Sequence, residues 1–207
     1  MTNNNSNSGK YNFVVENINE ICYNISVAKD KYRNSNDDIQ LMAVTKTIDT
    51  DMINFALKNG ITLLGENRVQ EFLSKKDEYL PLANIHFIGH LQSNKVKYII
   101  NDVSLIQSVD SIKLARTVDN YAKKNDIIMD ILLQVNIGNE ETKNGVDKIQ
   151  VFELANQVSE LENVRVKGLM TIPPLFCDEK IFDDMHKIFL DLRDKKLYNV
   201  NMDILSM

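Results

Sequence analysis

The feature that most constrains this 207-residue chain is an alternation. Seven short apolar runs, at 41–44, 61–64, 85–88, 103–106, 127–135, 164–170 and 202–205, are separated by stretches with helical periodicity at 52–58, 69–79, 95–100, 112–123, 149–161 and 180–192. Runs of that length, apolar without a polar face, are what strands covered on both sides require, and a helix between each pair returns the chain for parallel pairing. The expectation is a parallel sheet wrapped by helices. An amphipathic helix over 13–32 precedes the first run, with Val14, Ile18, Ile21, Cys22, Ile25 and Ala28 at helical spacing.

Two observations favour a (β/α)8 barrel over an open doubly wound sheet. Polar residues gather just after the strands, at Lys46, Glu66, Asn67, Gly89, His90, Asp110, Asn136 and Pro173, which a barrel would bring to one rim. Neither a GxGxxG turn nor a GxxxxGK[ST] loop is present, so the usual phosphate cradles of open nucleotide-binding sheets are missing. The strand count is one short of eight. The chain stops inside the apolar run MDILSM, and the expectation is a barrel whose last strand is missing.

Composition narrows the function. With 43% hydrophobic and 26% charged residues the chain has a globular balance, and residues 11–207 are expected to form one domain behind a disordered polar tail at 1–10. A net charge of -5, without a basic stripe, argues against nucleic acid. No apolar run approaches the ~20 residues that span a bilayer, and the first residues have no signal-peptide core. Two cysteines, Cys22 and Cys177, form no CxxC pair or metal-ligand cluster. Cys22 is expected as core filler, and the setting as cytoplasmic.

Several residues have the chemistry for a site. Lys46 sits where the first strand hands over to a helix. On position alone it is either a surface lysine with a snorkelling head or a partly desolvated amine able to attack carbonyls. In GENRVQEF, 65–72, Glu66 and Asn67 are read as rim residues, and Asn67 alone is better explained as a helix N-cap. In HFIGHLQSNK, 86–95, His86 and Phe87 should face opposite sides of a strand, with His90 on the rim loop and 92–94 starting a helix. Glu140, Glu141 and Lys143 lie on a long loop where paired carboxylates usually serve solubility. Met170 ends the sixth strand, where core packing is the plain reading.

The order of these segments adds what no single one does. AVTKT, GENRVQE, HFIGHLQSNK, VNIGNEETKNGV, GLMTIP and LSM, from the helix near Phe13 to Met207, resemble the pyridoxal phosphate homeostasis proteins. That family is similar in fold to the N-terminal barrel of alanine racemase. The resemblance implies that Lys46 forms a Schiff base with pyridoxal 5'-phosphate, that Asn67 lies beside the cofactor, and that His86 and Met170 line the pocket. It further implies a cofactor-handling protein without established substrate turnover, a monomer that passes cofactor to apoenzymes. Family members continue past LSM with the strand that carries much of the phosphate site, so weak cofactor binding and poor folding are expected of this chain. The alternatives are a pyridoxal-phosphate-dependent amino-acid racemase and an inert barrel fragment.

Overall fold

Each apolar run becomes a strand because its neighbours offer parallel partners, on both sides for all but the first and last, and helices cover the face that alternation turns outward. The computed structural model describes residues 9–32 and 38–207. Its strands are β1 (Met42–Val44), β2 (Leu63–Glu66), β3 (Asn84–Phe87), β4 (Leu105–Val109), β5 (Met129–Gln134), β6 (Val164–Met170) and β7 (Val200–Ser206). They pair in chain order, all in parallel. Helix α1 (Asn12–Tyr32) precedes the sheet, and α2 (Thr50–Lys58), α3 (Val69–Lys75), α4 (Val96–Ile99), α5 (Ile112–Lys124), α6 (Gln150–Ser159) and α7 (Lys180–Asp194) connect the strands.

The main core lies between the strands and the helices. Phe87, Ile106, Ile131, Leu133, Val166 and Leu169 meet Phe72, Val118, Val151 and Met185 there, all fully buried. A second cluster packs Leu64 against Ile53, Ala56 and Leu57 of α2. On the other face, Leu105, Leu132 and Met170 pack together with Ile204.

That second face is concave. β4 and β7 are three strand spacings apart, roughly 14 Å on a flat sheet. Yet the Ser206 hydroxyl donates to Gln107 Oε1 at 2.8 Å, a reach possible only if the sheet curls. The structure is therefore a curled seven-stranded parallel sheet, and among the described residues no pairing joins β7 to β1.

Three expectations need correction. Cys22 is exposed rather than core filler, because α1 has no buried residue, and a cleft of about 650 Å³ lies between Ile18, Cys22 and Ile25 on the helix and Ile39, Leu41 and Ile61. β2 and β4 lie two or more residues further along than the apolar runs indicated, which places Glu66 and Gln107 inside strands. The helix expected to reach residue 79 tightens into a 3-10 turn at Lys76–Glu78. Of the expected disordered tail, residues 1–8 lie outside the described residues, whereas Gly9 and Lys10 form an exposed turn before the buried Tyr11.

Gly168 allows the closest strand approach. Its φ is +148°, and a Cβ there would lie 1.8 Å from the carbonyl oxygen of Ile204, where the β6–β7 register shifts. Gly60 also has positive φ, +104°, but open space around it. Both alanine substitutions carry a backbone penalty of about 1–3 kcal/mol. Gly168→Ala adds a collision with main chain, so it should lose about 1–3 kcal/mol more than Gly60→Ala in urea unfolding. Equal losses would show that the two strands do not need this close approach.

Candidate functional site

The turn that carries Lys46 is held from several directions. The Thr45 hydroxyl, turned toward the helix layer, donates to Glu66 Oε1 at 2.6 Å, and the Tyr79 hydroxyl donates to the same oxygen at 2.5 Å. Glu66 is fully buried and its Oε2 has no partner among the described residues, so it is a buried clamp and not the rim residue the sequence suggested. Burial and the adjacent Glu66 push the Tyr79 phenol above its ordinary pKa, which keeps it a donor. Thr47 has φ +63°, an uncommon conformation for a β-branched residue. Its N–H donates to Glu71 Oε1 at 2.5 Å. Lys75 pairs with that oxygen and also donates to the Thr45 carbonyl at 3.4 Å. Beyond the turn, Asp49 caps α2 by accepting from the Met52 N–H at 2.9 Å, and it also accepts from Tyr11 Oη at 3.1 Å.

Lys46 itself is exposed, with no ion-pair partner among the described residues. Lys46 follows Val44, the last residue of β1, by two positions, and Asn67 directly follows Glu66, the last residue of β2, so parallel pairing brings both to the same end of the sheet. Asn67 is not the helix cap the sequence favoured, since the N-cap position of α3 is Arg68, without a side-chain capping bond. The position of Asn67 is set by main chain instead. A Cβ on Gly89 would come within 2.0 Å of the Asn67 carbonyl oxygen, so only glycine lets the end of β3 lie so close to the end of β2.

His86 and Met170 face the concave side. Met170 is 3% exposed and packs with Leu105 and Leu132, so it forms apolar floor. His86 and Phe87 do point to opposite faces, Phe87 into the main core and His86 to Gln107. Gln107 Nε2 lies 2.8 Å from His86 Nδ1, and the Gln107 oxygen accepts from Ser206. Burial lowers the His86 pKa to about 4, so the ring is neutral near neutral pH.

Sequence reasoning missed Gln107, Glu71 and the conformation of Thr47. The signal for Gln107 was the extension of the alternation in LIQSV beyond the apolar run; for the turn there was none, because Glu71 reaches it from the next helix. His90 is exposed on the rim. Lys143 and Glu140 form an ion pair at 2.6 Å, and Lys143 also donates to the Pro173 carbonyl at 3.1 Å, tying the long loop to the exit of β6. Among the described residues no cluster has the composition to hold a metal ion, and no helix is long and apolar enough to cross a membrane.

A curled parallel α/β sheet with a lysine at the end of its first strand defines a class. The family model described as alanine racemase, N-terminal domain, matches residues 17–207. The pyridoxal phosphate homeostasis protein of Aquifex aeolicus is 38% identical over 195 residues, 93% of this chain and 86% of that protein. Among solved structures, one described as an unknown protein from Bifidobacterium adolescentis superposes with a TM-score of 0.88 at 28% identity, over 97% of this chain and 87% of the other. PipY of Synechococcus elongatus, with PLP bound, gives 0.75 at 29% identity, over 90% of this chain and 88% of its own. The chain belongs to the alanine racemase N-terminal domain family and, within it, to the pyridoxal phosphate homeostasis proteins.

The clamp on the Lys46 turn has a pH signature. Lys75 and the Thr47 N–H hold the Glu71 carboxyl below its ordinary pKa of 4.5. The unfolded chain therefore takes up this proton first as pH falls. The stabilisation is complete above about pH 4.5 and is lost as pH falls through the lower folded-state value. Glu71→Gln should be less stable at neutral pH and show a flatter decline in urea midpoint below about pH 4.5 than the unsubstituted chain. Parallel declines would remove Glu71 from the clamp.

Proposed function

We propose that this chain is a pyridoxal 5'-phosphate-binding protein of intracellular cofactor homeostasis, in which Lys46 carries the cofactor. The observation that supports this most is the lysine turn: an exposed primary amine without an ion-pair partner among the described residues, on a turn fixed by Glu66 and Glu71, at the rim of the sheet. The relatives' names and the bound PLP of PipY support the choice of cofactor.

The residues present fit such a group by their chemistry. Bound there, the cofactor supplies an aldehyde that condenses reversibly with a primary amine. Lys46 presents that amine. Asn67 offers an amide donor and acceptor beside it, Met170 an apolar floor, and His86 a neutral ring within the concave face. Glu66 and Glu71 act on the turn and not on the ligand.

The wider reading rests on this site. The protein holds the aldehyde reversibly, keeps its free concentration low and hands it to apoenzymes, as a monomer in the cytoplasm. The unpaired edges of β1 and β7 support the finer fold, an eight-stranded barrel closed by one further strand between them.

An absorbance titration with pyridoxal 5'-phosphate tests the assignment. The unsubstituted chain should develop the long-wavelength band of lysine-bound cofactor, borohydride should make the attachment permanent on Lys46, and Lys46→Ala should do neither. A band of equal size in Lys46→Ala would place the attachment elsewhere. Interconversion of D- and L-alanine in the same samples would favour the racemase alternative.

A further inference from the structure

We propose that Gln107 is a positioning residue that fixes His86 as the tautomer protonated on Nε2, so that the imidazole under the rim serves as a hydrogen-bond donor and not as a base.

The donor and acceptor capacities of the three side chains allow two arrangements, and the orientation of the Gln107 amide selects one of them. A serine hydroxyl donates readily, and Ser206 lies 2.8 Å from Gln107 Oε1, so the carbonyl end of the amide points toward β7. The amide's NH2 end is then 2.8 Å from His86 Nδ1. An NH2 group only donates, so Nδ1 accepts, and a neutral imidazole that accepts on Nδ1 carries its proton on Nε2. The chain of donors thus runs from Ser206 on β7 through Gln107 on β4 to His86 on β3.

Burial keeps the arrangement in one state. Gln107 is 1% exposed and His86 8%, so neither has ready water to substitute for its partner. Reversing the amide would set its NH2 against the serine oxygen and require a proton on Nδ1; the hydroxyl would then need another acceptor. His86 has one accepting nitrogen, and Gln107 occupies it. The lowered pKa, caused by burial alone, agrees with a ring that does not take up a second proton. None of this requires a ligand, but its importance for holding cofactor rests on Lys46 carrying pyridoxal 5'-phosphate.

The test uses apo protein, with His90 and His186, both exposed, replaced by glutamine so that His86 is the sole histidine. Nitrogen-15 spectra of the ring should show Nε2 protonated and Nδ1 bare, unchanged between about pH 5.5 and 8. Gln107→Glu presents acceptors on both sides and should switch the proton to Nδ1. Gln107→Met keeps the volume, removes both bonds and should give a mixture of tautomers. A proton on Nδ1 in the parent chain overturns the proposal. So does an unchanged tautomer in folded Gln107→Met, the variant that decides if a buried glutamate prevents folding. Ser206→Ala should also mix the tautomers, a response that loss of stability alone does not produce. Cofactor titration of the same samples separates the two ideas. If the tautomer depends on Gln107 but no lysine-dependent band forms, the cofactor reading fails and the assignment of His86 stands.

Discussion

Parallel pairing is the constraint on which the rest depends. Antiparallel neighbours can be joined by two residues, but parallel neighbours need a crossover, and here helices provide it. The consequence is directional. Every strand runs the same way, so Lys46, Asn67, His90 and Asn136 all come after strand ends on one rim, although they are spread over 91 positions of the chain from 46 to 136. The candidate site is thus a product of topology before any side-chain contact forms.

The two faces of the sheet have different chemistry. The helix side is almost wholly aliphatic and aromatic, except where Glu66 collects the hydroxyls of Thr45 and Tyr79. The concave side is mixed. It carries the ion pairs of Asp130 with Arg165 and of Lys167 with Asp203, the apolar group of Leu105, Leu132 and Met170, and the hydrogen-bonded row of His86, Gln107 and Ser206. Alternation converts a one-dimensional pattern into these two environments. It also explains why a buried acid and a buried imidazole coexist without meeting: Glu66 and His86 are on opposite faces.

Much of this was legible in the sequence, and the reasons for the remainder are physical. Strand and helix order came from period, and opposite orientations for His86 and Phe87 came from alternation. Glu66 was misplaced because polar residues near a strand end look like rim residues, and only tertiary contact shows a carboxylate buried among hydroxyls. Asn67 resembled a cap because capping is a local rule, whereas its position depends on the remote Gly89. Cys22 satisfied the helical pattern of a core residue, but periodicity says which face is apolar and not whether anything packs on it. The resemblance to a known family supplied the cofactor and the role proposed for Lys46; generic physics left that lysine with two readings.

Helix α1 is an amphipathic helix whose apolar face is little covered by the described residues. Its first turns are anchored, through the buried Tyr11 before it and through Val14 and Ile18 against the α2 cluster. Further along, Ile21, Tyr23 and Val27 are open to water. Opening those later turns exposes almost no new apolar surface, so the free energy of local opening there is close to that of an isolated helix. Amide hydrogens of that half are expected to exchange through fraying rather than through global unfolding, and those of β4 to β6 only when the sheet itself comes apart. One chain therefore carries two stabilities, and a protease meets the weaker one first.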